Sequence, residues 1–539
     1  MRDNRQRHEA SYESSAKSGV MLAAAAVICS VIIMLYRIPL ADIIGTEGVS
    51  YYTSAYAFYN IILIVSSYAL PIAVSKLISV RLVSGRYEDA VNVFRTAMIY
   101  ATVFGAAFFL IFSFVAPLIA RLTDRGFLSY ALKALAPAVW LMAYLGVFRG
   151  YFQGMGSVKP TAFSQVVEQL VNAVFSIIFA VYMSDYGYKA DLIYDETAYT
   201  HAYGAAGATY GVSCGALVAL ILLFILYRGQ RAEVLSLIRN TRAKRREAPA
   251  HIRGVLGQTA LPVILGAVFF NITFLLDDFI FNTVLQGSWD GFTAVEVWGV
   301  FGKFAIIFYI LQMTANAPGA AMIPEISAGA ARRDKKKIVL SIRGGMRSSM
   351  AFAIPVCAGI AALSEPICRL LFGPDNIELL KNITALGALF ILLFCLATVS
   401  NAVLQGLGHV GEPLLNSISA LIVHIALLFV LGFVAKLGIY AVVISNIAFA
   451  AMMCITDNIC IKRHVRFKKH SYDVFIKPLI SSVAAGIAVY ILHLIYKLII
   501  PDALYATRIG VLPIAAGGAF IFVFIYAFIS AVISSRKMR

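Results

Sequence analysis

The sequence predicts an all-α polytopic membrane protein of fourteen transmembrane helices. Two parallel-repeat six-helix lobes are followed by two C-terminal helices, with both termini cytoplasmic. Three observations carry this. The chain of 539 residues is 60% hydrophobic and only 14% charged, where a soluble globular protein carries about 25% charged residues. Fourteen apolar runs are long enough to cross a hydrocarbon core, which takes roughly 20 residues of helix. The phrase Gln-Gly-x-Gly-x-Val occurs twice, as Gln153-Gly154-Met155-Gly156-Ser157-Val158 and as Gln405-Gly406-Leu407-Gly408-His409-Val410.

In chain order the runs are 18–44, 52–74, 96–120, 131–151, 162–183, 203–227, 255–283, 298–325, 346–364, 383–405, 414–435, 437–460, 477–500 and 510–534. Continuous apolarity favours helices over barrel strands, which alternate over about ten residues. The first run is a retained span and not a cleaved signal. It is too long for a signal core, and Tyr36-Arg37-Ile38-Pro39 stands where small cleavage-site residues belong. Pro39 is expected to interrupt this helix. Residues 184–202 form the longest outer loop, and Ala232 to Ile238 an interfacial amphipathic helix.

Charge sets the orientation. With a cytoplasmic N-terminus, 34 of the 45 Lys and Arg residues fall in cytoplasmic segments, as the positive-inside rule requires. The runs Arg242 to Arg246 and Arg332 to Lys337 read first as solvated loops that set topology, and they also suit anionic lipid headgroups. The net charge of +17 is scattered between apolar runs and forms no nucleic-acid stripe.

The duplication extends past the repeated phrase. Ile78 and Ser79 match Ile326 and Ser327, and Arg95 and Met98 match Arg343 and Met346. Six helices per copy is an even number, so both copies enter from one side and form a parallel repeat. The expected organisation is a tail (1–17), an N-lobe (18–227), a basic linker (228–254), a C-lobe (255–460), a basic loop (461–476), and two final helices with a tail (477–539).

Ionisable residues inside spans are the candidate site, because each costs at least about 2.5 kcal/mol to insert. Arg37 leads, since a guanidinium stays charged when desolvated and grips phosphate with two N–H groups; the competing reading is an arginine that snorkels to the interface. Lys76 ends the second span and Arg149 the fourth, each as either an inside-positive anchor or a ligand contact. Lys303 lies about one turn into the eighth. Gln165, Glu168, Gln169 and Asn172 share one face of the fifth helix, to line a site or to pack against another helix. Asp277 and Asp278 could hold a cation or pair with Arg37 or Lys303. Asp457 reads as an interfacial charge.

Other chemistry is missing from the sequence. Gly299 to Phe304 lacks the spacing and the Ser/Thr of a phosphate-binding loop. The seven cysteines show no paired framework or CxxC pattern, so neither disulfide nor metal is assigned. No nucleophile–base pair is evident.

The segments Tyr36-Arg37-Ile38-Pro39-Leu40-Ala41 and Ile44-Gly45-Thr46-Glu47-Gly48 resemble the first helix and loop of the stage V sporulation protein B and MurJ-like flippases. So do Leu70-Pro71-Ile72-Ala73-Val74-Ser75-Lys76, Arg149-Gly150-Tyr151-Phe152-Gln153-Gly154, and Pro160-Thr161-Ala162-Phe163-Ser164-Gln165-Val166-Val167-Glu168-Gln169. The resemblance implies the multidrug/oligosaccharidyl-lipid/polysaccharide exporter superfamily, with two six-helix lobes and alternating access. It further implies a transporter, not an enzyme, that moves an undecaprenyl-pyrophosphate-linked cell-wall precursor to the outer leaflet of the bacterial cytoplasmic membrane. Expected partners are the anionic lipid-linked substrate, anionic membrane lipids and cell-wall synthesis enzymes, with the chain itself a monomer. No cofactor is expected, and coupling to a monovalent cation stays open. The sequence departs from the family pattern at three places. Val31 stands where some members have a second arginine. Lys303 is the cation offered on the eighth helix. Asn416 is followed by Ala420 where sodium-binding members have Asn-x-x-x-Asp. A multidrug and toxin extrusion exporter, a membrane glycosyltransferase and a non-transporting scaffold are the competing classes. The first prefers acidic cavities, and the second needs a sizeable outer domain.

Overall fold

A computed structural model describes residues 2–64, 70–240, 264–285, 292–331, 333–409, 411–465 and 472–538. The described residues are helical, without a β-strand. Eleven of the helices are long and apolar enough to cross a membrane, or twelve if one bent pair counts as a single span. Contacts divide the chain into two compact units, one within 1–299 and one within 300–539.

The first unit begins with α1 (Arg2–Leu63), two helical arms joined at Gly45. Gly45 has φ 72 and ψ 175, a conformation side chains disfavour. The Ile44 carbonyl beside it takes a 2.7 Å hydrogen bond from His201 Nδ1. Pro39 lies inside the first arm without ending it. The break expected there falls at Gly45 because a glycine can take positive φ, and proline is fixed at negative φ.

Next come α2 (Leu70–Val83), α3 (Tyr87–Leu122), α4 (Leu128–Gly154), α5 (Lys159–Tyr194) and α6 (Ala198–Asn240). The expected long outer loop after the fifth span is mostly helix, with only residues 195–197 connecting α5 to α6. Asp191 explains the compaction. Its carboxylate accepts from the backbone N–H groups of Tyr199 at 2.8 Å and Thr200 at 3.0 Å, satisfying donors at the start of α6. The segment 232–238 is continuous with α6. Residues 241–263, which include the basic run from Arg242, and Arg332 lie outside the described residues. The unit closes with α7 (Ile264–Asn271) and α8 (Thr273–Thr283), bent by 42° to each other.

The α5–α6 contact is backbone on backbone. A Cβ on Gly207 would lie 2.3 Å from the Phe179 carbonyl oxygen, one on Gly211 2.4 Å from the Ser176 nitrogen, and one on Gly215 2.5 Å from the Glu168 carbonyl oxygen. Small residues every fourth position let helices approach closely in lipid, where packing replaces the hydrophobic effect.

The second unit holds most of α9 (Ala294–Ala331), then α10 (Lys335–Ala362), α11 (Ser364–Phe372), α12 (Ile377–Gly406) and α13 (Gly411–Phe429). Gly438, at φ 52, separates α13 from α14 (Ile439–His464). Then follow α15 (Lys477–Ile499), α16 (Asp502–Tyr505), α17 (Arg508–Leu512) and α18 (Gly518–Met538). Leu363 packs with Ala485, Val489, Tyr505, Val511, Ile514 and Phe522, which seats the C-terminal helices on this unit.

The repeated phrase folds identically in both units. Gly156 has φ +85 and Gly408 φ +87. The N–H of Gly156 donates to the Gln153 carbonyl and that of Ser157 to Phe152; Gly408 and His409 repeat this with Gln405 and Leu404, all at 3.0 Å. This is a left-handed glycine cap closing a helix. Gly154 packs on Ile78, and Gly406 packs on Ile326, the isoleucines that the sequence pairs across the repeat.

Candidate functional site

A hydrogen-bonded polar chain runs through the first unit from α4 to α1. Arg149, near the C-terminal end of α4, is 3% exposed and Glu168 on α5 is 7% exposed. Arg149 Nη2 donates to Glu168 Oε2 at 2.6 Å, and Arg149 Nε to Ser164 Oγ at 3.1 Å. Two charges away from water need such pairing, because an unpartnered one would cost several kcal/mol. Gln169 Nε2 reaches Glu168 Oε1 at 3.4 Å, and Asn172 Nδ2 reaches Gln169 Oε1 at 3.5 Å. Asn172 Nδ2 also reaches the Tyr36 hydroxyl at 3.3 Å. Ser176 completes the Asn172 amide, donating to its Oδ1 at 2.9 Å.

Arg37 stands at the far end of this chain. It is half-buried. Its Nε donates to the Tyr36 hydroxyl at 3.4 Å. Its guanidinium carbon lies 4.7 Å from the Tyr56 ring centroid and 5.5 Å from that of Tyr52. The two rings lie one helical turn apart on the second arm of α1 and present their electron-rich faces to the cation. The rings and the Tyr36 hydroxyl thus hold the arginine in place, and no carboxylate among the described residues neutralises it.

The other expected residues fall as follows. Gln165 is half-buried and makes no hydrogen bond among the described residues, although it shares the α5 face. Lys76 is exposed on α2. Lys303 belongs to the second unit, on α9, and is 4% exposed. Asp277 and Asp278 are both fully buried on α8. Within the first unit Asp278 pairs not with Arg37 but with Arg125, whose Nη2 lies 3.1 Å from each carboxylate oxygen. Ser54 on α1 donates to Asp278 Oδ1 at 2.7 Å and accepts from Arg125 Nη1 at 2.8 Å. Asn282 adds a bond to the same oxygen at 3.1 Å. Asp457, read as interfacial, is instead fully buried and accepts from Asn416 Nδ2 at 2.7 Å.

Sequence reasoning missed the tyrosines and Arg125. Tyr52, Tyr56 and Tyr59 follow helical spacing and carry a signal that was available. Arg125 has no such signal: in the sequence it is one more charge beside an outer helix end.

A many-span helical protein with a duplicated turn and an arginine held by aromatic rings within an apolar helix has the make-up of a membrane transporter, the class to which its family match assigns it. Comparison with solved structures agrees at the level of the fold. The chain resembles a lipid II flippase MurJ in an inward closed conformation, with a TM-score of 0.69 at 12% identity, covering 96% of this chain and 100% of that one. It also resembles an inward-facing multidrug resistance MATE transporter of the MOP superfamily, with a TM-score of 0.63 at 17% identity, covering 81% of this chain and 98% of that one.

The particular family follows from the sequence comparison. The family described as "Lipid II flippase MurJ" matches residues 77–506, and the chain belongs to it. Two relatives from Bacillus subtilis (strain 168) are similar over most of their length. Stage V sporulation protein B is 24% identical over 488 residues, 88% of this chain and 89% of that protein. Lipid II flippase MurJ is 24% identical over 505 residues, 90% of each. Members of the family are lipid-flippase transporters of the bacterial cytoplasmic membrane and not enzymes.

Proposed function

We propose that this protein moves an undecaprenyl-pyrophosphate-linked cell-wall precursor, lipid II or a related lipid-linked oligosaccharide, from the inner to the outer leaflet by alternating access. The observation that carries the reading is Arg37: an intramembrane guanidinium gripped by Tyr52 and Tyr56 with no carboxylate to neutralise it among the described residues. A pyrophosphate supplies the missing charge and accepts two parallel N–H groups. A cationic drug would meet the wrong sign there. Arg149, already neutralised by Glu168, serves to fix the α4–α5 face. Lys76 and Gln165 are further headgroup contacts on the first unit, and Lys303 is a separate candidate contact within the second. An anion leaving a negative interior is aided by about 2.3 kcal/mol per charge per 100 mV.

The reading includes fourteen spans with cytoplasmic termini, an N-lobe at 18–227 and a C-lobe at 255–460. The distribution of Lys and Arg supports this topology. Similarity to stage V sporulation protein B supports a role in spore-wall assembly alongside growth.

The test is expression of the full chain in cells depleted of their lipid II flippase. A membrane-impermeant enzyme that modifies outward-facing precursor reports its leaflet distribution. We expect the chain to restore both growth and outward exposure, and Arg37→Ala to restore neither. An unchanged leaflet distribution with the wild-type chain would overturn the proposal.

A further inference from the structure

The two copies of the repeated phrase differ at one chemically active position. Ser157 follows the capping glycine in the first copy, and His409 in the second. His409 sits between the end of α12 and the start of α13, and its carbonyl accepts from the Glu412 N–H at 3.3 Å. Glu412 lies in the first turn of α13. His464 is the last residue of α14. All three belong to the second unit.

Their side chains converge. His464 Nε2 lies 2.7 Å from Glu412 Oε1. The His409 and His464 rings stack with centroids 3.7 Å apart and planes inclined by 15°. One donor atom from each of the three residues lies within 4.8 Å of the other two. The second carboxylate oxygen, Glu412 Oε2, is buried, and the Cys460 thiol is close enough to interact with this carboxylate.

An ion pair between His464 and Glu412 accounts for one of these contacts. That pair calls on neither the second imidazole, which stacks on the first, nor the buried Oε2. At the same 252-residue offset the first copy has Ser157 and Pro160 in place of His409 and Glu412, so the turn itself does not demand these two side chains.

We propose that His409, Glu412 and His464 form a binding site for a divalent transition-metal ion of the zinc class. Two neutral imidazoles and one carboxylate are a known donor set for zinc, with the fourth position taken by water. Hard ions such as magnesium prefer all-oxygen sites, so the two nitrogens select against them. His464 and Glu412 keep 27% and 29% of their side-chain surface, and His409 is exposed, so an ion enters from solvent. Binding requires the two rings to unstack by side-chain rotation, so that both nitrogens and the carboxylate reach the roughly 2.0–2.2 Å bond lengths of zinc. A bound ion would tie the start of α13 to the end of α14.

The test uses the full chain in detergent, purified without a polyhistidine tag and stripped by chelator. After zinc loading and desalting, elemental analysis should find one zinc per chain. Cobalt should give the visible absorption of a low-symmetry tetrahedral site, and magnesium should not displace it. His409→Ala and His464→Ala should each lose the retained zinc, and Glu412→Gln should weaken retention. Zinc should raise the unfolding temperature of the wild type and not of His409→Ala. His409 is exposed at a turn, so that variant keeps its metal-free unfolding temperature and its elution volume. Wild-type protein that retains no zinc, or retention unchanged in both histidine variants, would overturn the site and leave a His–Glu ion pair.

Discussion

Arg125 holds both carboxylate oxygens of Asp278 at 3.1 Å, and the two side chains keep only 2% and 1% of their surface exposed. Pairing removes a large penalty without guaranteeing a net gain. Asp278→Ala and Arg125→Ala should therefore each destabilise by about 3–5 kcal/mol, because each strands a buried charge. The double variant Arg125→Met/Asp278→Leu should cost far less than the sum. Thermal unfolding in detergent, read as a double-mutant cycle, measures the coupling. Additive losses would show that the pair is not coupled.

Arg37 rests on rings as well as carrying charge. A lysine keeps the charge but loses the planar fork and the stacking surface. Arg37→Lys should support partial outward exposure of precursor, between wild type and Arg37→Ala. Tyr56→Leu should lower transport several-fold with Arg37 intact, since a cation–π contact is worth about 0.5–2 kcal/mol. Full activity in Tyr56→Leu would show that the ring does not position the guanidinium.

The α5–α6 contact gives a stability prediction with an internal control. Gly211→Ala forces a methyl to within 2.4 Å of the Ser176 backbone. Such overpacking costs about 1–3 kcal/mol, and valine should be worse. Gly229, also on α6, has nothing within 4 Å of its missing Cβ. Gly229→Ala should be neutral or slightly stabilising. Unfolding temperatures of the two alanine variants decide the matter.

Glu365 at the head of α11 makes the protein sensitive to acid. Burial raises its pKa, but Lys497, Lys381 and Arg369 around it prevail and hold it below the ordinary carboxylate value. A depressed carboxylate contributes stability above its unfolded pKa and loses it as pH falls through the folded one. The wild-type unfolding temperature should fall as pH drops below the usual carboxylate range. Glu365→Gln should start lower and vary less over that window. Parallel profiles would remove Glu365 as the cause.

The sequence was most informative where chemistry is local. Glycine at positive φ has a signature readable in six residues, and so the twin caps at Gly156 and Gly408 were legible. The polar face of α5 was legible from its period, although its partner Arg149 was not. Partners distant in sequence escape periodicity altogether. Arg125 and Asp278 lie 153 residues apart, and no local pattern links them. Asp457 was misread for a related reason: position near a helix end suggests water, but Asn416 on α13 covers it. Tyr52 and Tyr56 do not stand out in the sequence because aromatic residues are common in spans, and only a nearby cation marks them as a cradle.

The twin turns also bear on the order in which the chain is made. Gly154 closes onto Ile78, and Gly406 onto Ile326, each a residue that has already left the ribosome when its glycine emerges. Neither closure waits for the other half of the polypeptide. Vectorial synthesis can therefore complete the first turn before the second begins, and a nascent chain truncated between them should already protect Gly154 and its neighbours from proteolysis.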